Sequence, residues 1–302
     1  MALELYHDPA VFRAACESVR AQGGSLGLVP TMGALHSGHM ALVQEAKRLT
    51  TKVAVTLFVN PTQFSAGEDF GRYPRTLDHD RTLCESNGVE LLFVPSAEAM
   101  YPPGDSTRVR VTGIADGLCG AFRAGHFEGV ATVVSKFFGL AGTCTAVFGK
   151  KDYQQLKVIE RLAKDLMLPV TIVGHPIVRE PDGVAMSSRN AYLTADERRR
   201  ASAIVVGLSS AWRSFEAGER SAPRLIERLK SQLVSAQLDI QYAELTHPES
   251  LETWSTRTDL PERVLLAAAA YCGKTRLIDN VVLGEDPDPL DDAGAGNFPH
   301  AE

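Results

Sequence analysis

The stretch LGLVPTMGALHSGHMALVQEAKRLTTKVAVTLFVN, residues 26–60, sets the reading of the whole chain. LGLVPT (26–31) is a short apolar run and predicts a strand. HMALVQEAKRL (39–49) puts Met40, Leu42, Val43, Ala46 and Leu49 at helical spacing. KVAVTLFVN (52–60) is apolar and β-branched, a buried strand by composition. Strand, helix and strand in about 35 residues make a unit whose strands run parallel. Between the first strand and the helix sits HSGH, in a chain with eight histidines.

The alternation continues outward. TLDHDRTLCESNG (76–88) reads as a helix stopped by Gly88, and VELLFVP (89–95) as a strand. FEGVATVVSKFFGLA (127–141) is a helix despite its valines. TAVFG (145–149), YQQLKVIERLAKDL (153–166) and PVTIVGHPIV (169–178) continue strand, helix, strand. The expected fold class is α/β, with a parallel sheet covered on both faces over residues 1–177. Near Val178 the pattern changes. A loop-like VREPDGVAMSSRNAYLTADE is followed by two helices, ADERRRASAIVVGLSSAWRSFEAG and SAPRLIERLKSQLVSA. Strand-like DIQYAELTH and ERVLLAAAAYCGKTRLIDNVVL complete a smaller α+β domain over 178–284. Residues 285–302, rich in Pro, Gly and acids, read as a disordered tail.

Composition narrows the classes. Apolar content of 44% and charged content of 23% are those of a globular chain. Five cysteines at 16, 84, 119, 144 and 272 form no C-x-x-C pair, so neither a disulfide framework nor a zinc ribbon is expected, and reduced thiols suit the cytoplasm. MALELYHDPAVFRAAC lacks the pattern of a signal peptide. Runs such as VLLAAAAYC fall short of the roughly 20 residues of a membrane span. Net charge is −6, and the tail alone carries six acids with no Lys or Arg. The neutral remainder gives no footprint for nucleic acid, and neither nucleic acid nor membrane is an expected partner.

Ligands of such sheets bind beyond the carboxyl ends of the strands, and three polar motifs follow strands here. His36 and His39 lack the H-E-x-x-H form of a zinc site. At the mouth of a helix, two imidazoles and Gly38 suit a nucleotide phosphate, although ordinary histidines also fit the pattern. GKKDYQQL (149–156) brings Lys150 and Lys151 to the same edge, Asp152 as a helix cap, and Gln154 and Gln155 on the first turn. MSSRN (186–190) has the hydroxyls and guanidinium of a phosphate clamp. In FVNPTQF (58–64), Asn60 and Gln63 suit a small hydroxylated acid, or an Asn-Pro turn. Asp78 and Asp80 are candidate magnesium ligands or helix-start charges. RAGHF adds Arg123 and His126. No Walker A loop, G-x-G-x-x-G or G-x-S-x-G occurs. A nucleotidyltransferase for another small acid, a cytidylyltransferase and a silent nucleotide-binding protein remain alternatives at this point.

VPTMGALHSGH, FVNPTQF, YPRTLDHD, GKKDYQQLKVI, REPDGVAMSSRN and GKTRLIDN together resemble the pantoate–β-alanine ligase family, over nearly the whole chain to about residue 284. The resemblance implies a Rossmann-like domain of the HIGH-motif nucleotidyltransferases, a C-terminal lid domain and a homodimer. It implies ATP, Mg²⁺, D-pantoate and β-alanine, with a pantoyl-adenylate intermediate and release of AMP and pyrophosphate. Met32, Gly33, Ala34, Leu35, His36, Ser37, Gly38 and His39 would then line the ATP site. Gly149, Lys150, Lys151, Asp152, Val178, Met186, Ser187, Ser188 and Arg189 match its other contacts. The catalytic set would be His39, His36, Lys151, Ser187, Ser188 and Arg189. Gln63 and Gln155 would hold pantoate, with Pro30, Asn60 and Arg123 beside them, and Asp80 would hold the metal. The family usually reads GEKDYQQ, and Lys150 replaces that glutamate here. His79 stands where relatives often have an acid.

Overall fold

The computed structural model describes residues 3–65 and 67–291. The chain divides into two compact units. One comprises Met1–Ala115, Phe122–Lys150 and Gln155–Pro176; the other comprises Asp116–Ala121, Lys151–Gln154 and Ile177–Glu302.

In chain order the elements up to residue 176 are β1 (Glu4–Tyr6), α1 (Pro9–Ala21), β2 (Leu26–Thr31), α2 (Ser37–Leu49), β3 (Lys52–Leu57), α3 (Leu77–Ser86), β4 (Leu91–Phe93), α4 (Ala97–Met100), α5 (Cys119–Phe122), α6 (His126–Ala141), β5 (Cys144–Gly149), α7 (Tyr153–Asp165) and β6 (Val170–His175). Six parallel strands form one sheet in the order β1-β4-β3-β2-β5-β6. Side chains alternate across it with period two. Val29, Val53, Val55, Leu57, Leu92 and Val147 pack with Leu42, Val43 and Ala46 of α2 and Cys84 of α3. Leu26, Leu28, Ala54, Leu91, Phe93, Ala146 and Phe148 pack with Phe12 of α1, Val133 and Phe137 of α6 and Ile159 of α7. Burial of both faces explains why the strands read as continuous apolar runs.

The chain runs β2, β3, β4 toward one edge, then returns to place β5 on the other side of β2. The switch in direction lies between β2 and β5, where open parallel sheets bind ligands. β2 pairs with β3 from Leu26 to Thr31, but with β5 only at Gly27 and Leu28. The reason is Pro30. The Thr31 carbonyl accepts from Phe58 N on the β3 side, so the neighbouring Pro30 backbone turns toward β5, where it has no N–H to give. The ladder between the two strands ends there.

The second unit carries α8 (Ala195–Ala201), α9 (Ala203–Glu216), α10 (Ala222–Ser235), β7 (Asp239–Thr246), β8 (Val264–Cys272) and β9 (Thr275–Leu283). Its strands form an antiparallel sheet, β7-β8-β9, whose core joins Leu245, Leu266, Ala268 and Val281 to Leu208, Phe215, Leu225 and Leu229 of α9 and α10. The parallel sheet with its smaller α+β companion is the expected architecture. Two details differ from expectation. The helix read across 195–218 breaks at Ser202, whose hydroxyl donates to Arg199 O at 2.8 Å in competition with the helix backbone. Residues 285–291, read as disordered, are tied down: Trp212 Nε1 donates to Asp286 O at 2.9 Å, and Arg213 pairs with buried Asp288 at 2.6 Å. The rest of the expected tail, 292–302, lies outside the described residues. All five cysteines are free and buried, and among the described residues no helix is long and apolar enough to cross a membrane.

Within the second unit, Arg179 and Asp279 form an ion pair with both side chains 3% exposed, at 2.7 and 3.1 Å. Arg179 also donates to Gly183 O at 3.1 Å. Removing one partner strands the other's charge without water. Asp279→Leu is therefore expected to cost about 3–5 kcal/mol, read as a lower midpoint in urea unfolding.

Candidate active site

Gly33 (φ +84°) and Ala34 (φ +50°) turn the chain sharply between β2 and α2. Ala34 has a Cβ, and such a left-handed residue costs about 1–3 kcal/mol. Asp80 holds it there. Its Oδ2 accepts from Ala34 N at 2.9 Å, and its Oδ1 accepts from Leu35 N at 2.8 Å and Thr76 Oγ1 at 3.1 Å. The carboxylate is 2% exposed. It therefore does not fit the expected role of magnesium ligand, because both oxygens already serve the loop. Among the described residues no group of three or more His, Cys, Asp or Glu is placed to hold a metal ion.

The loop delivers His36 to the N-cap of α2 and His39 to its third residue. Their rings lie 4.0 Å apart between centroids. His36 N donates to His39 Nδ1 at 3.3 Å, and His39 N donates to His36 O at 2.9 Å. Because Nδ1 of His39 accepts, the neutral ring carries its proton on Nε2. That N–H is a donor at the positive end of α2, where Ser37 and Gly38 begin the helix.

Gln63 ends a short 3₁₀ turn, Pro61–Gln63, after β3. Its Nε2 approaches Met32 Sδ at 3.1 Å, joining this turn to the loop that bears the histidines. Its Oε1 accepts from Asn60 Nδ2 at 3.0 Å. Asn60 is 1% exposed and fully used: Nδ2 also donates to Gly129 O, and Oδ1 accepts from Tyr101 Oη at 2.8 Å and Thr62 Oγ1 at 2.9 Å. It orients Gln63 rather than facing a ligand. Gly129 of α6 allows the contact, since a Cβ there would stand 2.4 Å from Thr62 O.

Arg123, expected beside the acid, is committed elsewhere. Its Nε and Nη2 donate to both oxygens of Glu68 at 2.7 Å. Its Nη1 lies 2.9 Å from His126 Nε2, and His126 Nδ1 lies 2.8 Å from Gln63 O. Glu68 carries no motif in the sequence that would mark it as the partner of Arg123. Burial would raise the Glu68 pKa, but the bonds and charge of Arg123 outweigh it and hold the carboxyl below its usual range.

Gly149 closes β5, and the Lys150 stem lies near Gly174 of β6. Gln155 is half-buried on the first turn of α7. In the second unit, Lys151 Nζ lies 3.4 Å from Asp152 Oδ2, and Lys151 O accepts from Asn280 Nδ2 at 2.9 Å. Gln154 is a strut, with its amide bonded to Gly117 O and Cys119 N. Val178 O accepts from Met186 N at 2.9 Å, and Ser187 Oγ caps the turn Ser188–Tyr192 by accepting from Arg189 N. Asn190 bridges Ala185 O and Glu180 Oε1, closing the segment Met186–Arg189 into a compact loop.

Residues 4–282 match the model of the family described as pantoate-beta-alanine ligase. The chain belongs to the pantoate–β-alanine ligase family. It is 46% identical to a pantothenate synthetase from Sulfurihydrogenibium sp. over 282 residues, covering 92% of this chain and 99% of the relative. Among solved structures, it is similar to a pantothenate synthetase from Thermus thermophilus with a TM-score of 0.86 and 40% identity, covering 93% and 99% of the two chains. A ligase of the same family from Francisella tularensis, complexed with Beta-gamma ATP and Beta-alanine, matches with a TM-score of 0.77 and 33% identity, over 95% and 100% of the chains.

The Glu68–Arg123 pair predicts a pH signature. A depressed carboxyl stabilises the fold above its unfolded pKa, and that contribution fades as pH falls through the folded value. The stability gap between the native chain and Glu68→Gln is expected to be full near neutrality. It should shrink once pH falls below about 4.3, as measured by denaturant unfolding across an acid series.

Proposed function

We propose that this chain joins D-pantoate to β-alanine in two half-reactions driven by ATP. In the first, the pantoate carboxylate attacks the α-phosphorus, giving pantoyl adenylate and pyrophosphate. In the second, the β-alanine amine attacks the acyl carbon, giving pantothenate and AMP. One observation carries the reading: the His36–His39 pair at the start of α2 is joined through Met32 to the amide of Gln63. A phosphate-binding helix mouth thus adjoins a neutral amide suited to an acid. The Francisella relative, complexed with Beta-gamma ATP and Beta-alanine, supports both as substrates here.

His39 Nε2–H and His36 stabilise the negative charge that grows on the phosphate oxygens during displacement, aided by the positive end of α2. The donors are fixed before the reaction by the Asp80 anchor, so the reaction requires little reorganisation of them. Met32–His39 and Gly149 with Lys150 line the nucleotide. In the second unit, Lys151, Ser187, Ser188 and Arg189 supply cationic and hydroxyl donors of the kind that bind phosphate oxygens, with Asp152, Val178 and Met186 as further nucleotide contacts. Gln63 and Gln155 hold pantoate, and Pro30 borders it. Among the described residues no group of three or more His, Cys, Asp or Glu could cage Mg²⁺, so the ion would be held chiefly by the phosphate oxygens of the nucleotide itself.

Labelled pyrophosphate is expected to exchange into ATP when pantoate is present and β-alanine is absent. Exchange that requires β-alanine would rule out a separate adenylate. His39→Ala should slow that exchange by roughly 10²-fold, as for loss of one preorganised donor. A rate equal to that of the native chain would take this residue out of the mechanism.

A further inference from the structure

The Gln63 turn rests on a histidine whose protonation is fixed by its neighbours. A carbonyl only accepts, so His126 Nδ1, 2.8 Å from Gln63 O, carries a proton. A guanidinium only donates, so His126 Nε2, 2.9 Å from Arg123 Nη1, presents a lone pair. Only the neutral imidazole with its proton on Nδ1 satisfies both bonds. Arg123 is aimed at the ring by the two-pronged grip of Glu68, and Glu68 Oε2 also accepts from Ser65 N at 3.2 Å. His126 is 7% exposed, with Phe127 edge-on at 4.8 Å between ring centroids. The Gln63 carbonyl is held by His126 and, at 3.5 Å, by Arg123 Nη2, while Asn60 accepts from Gln63 N at 3.4 Å and donates to its side-chain oxygen. Its Nε2 is left directed toward Met32.

We propose that His126, set by the Arg123–Glu68 pair, is a positioning residue for the acid substrate: it fixes the backbone from which the Gln63 amide projects, and so governs affinity for the hydroxy acid without touching it. This deepens the reading above and rests on Gln63 being the amide that holds pantoate. The neutral ring is essential to the device. A second ring proton would face the guanidinium donor and push Arg123 away from Nε2.

The test is steady-state kinetics of the full chain, with pantoate and ATP varied separately, for His126→Leu, His126→Asn and Gln63→Ala. The amide nitrogen of asparagine stands where imidazole Nδ1 stands, so His126→Asn keeps the donor to Gln63 O and loses the Arg123 contact and the ring contact with Phe127. His126→Leu is expected to raise KM for pantoate by about tenfold while KM for ATP stays within about twofold. His126→Asn should recover most of that loss. Equal shifts in both KM values, or an asparagine variant as impaired as the leucine variant, would overturn the assignment. Should His126→Leu not fold, Glu68→Gln keeps the test alive, because its partly exposed side chain tolerates change. It should raise pantoate KM alone, because a histidine without the aimed Arg123 donor can carry its proton on Nε2 and lose the bond to Gln63 O, a choice asparagine does not have; an unchanged pantoate KM would overturn the assignment. Gln63→Ala separates the two levels. If it leaves pantoate KM unchanged, the acid pocket is misplaced and the proposal falls with it. If it raises pantoate KM but His126→Leu does not, the pocket stands and the positioning role fails.

Discussion

Asp80 accepts two backbone N–H bonds from a loop that would not hold its shape unaided. Ala34 sits in the left-handed region, and the next residues must bring His36 to the mouth of α2. Charge-assisted bonds from Ala34 and Leu35, shielded from water, offset that backbone cost. The rest of the site follows from the fixed loop. His39 Nδ1 is used inside the helix start, which sets the tautomer of the ring. Met32, just before the turn, meets Gln63.

A similar economy governs the Gln63 turn. Asn60 spends every polar atom on the protein, and Gly129 gives the turn room to approach α6. Tyr101 brings a hydroxyl from beyond β4, and His126 brings a ring nitrogen from the start of α6. Residues that look like ligands in isolation thus brace the turn around Gln63. The second unit repeats the theme, with Glu180 and Asn190 bracing the segment Met186–Arg189, and Arg198 gripping Glu180 and Asp182 in turn.

The parallel sheet was legible because strands buried on both faces leave unbroken apolar runs, and because the helices between them keep their period. The HSGH position at a helix start was legible for the same reason. What escaped depends on distance along the chain. Nothing local distinguishes a carboxylate that binds a metal from one that binds backbone 45 residues away, so Asp80 read as a magnesium ligand. Arg123 read as a substrate contact because its partner, Glu68, lies 55 residues upstream. The three-residue edge strand β1 is too short to show a pattern, and it forms by pairing with β4. By contrast, α1 carried a visible signal in Asp8 followed by Pro9: the carboxylate accepts from Ala10 and Val11 N, and proline fits the first turn. The family resemblance extended the reading by matching many short motifs in order, which no single motif could do.

The early end of the β2–β5 ladder has a further meaning. It follows from one imino acid that lacks a hydrogen. No substitution elsewhere in either strand can restore the missing donor, so the length of this ladder is written into the covalent chain at Pro30 rather than into its packing.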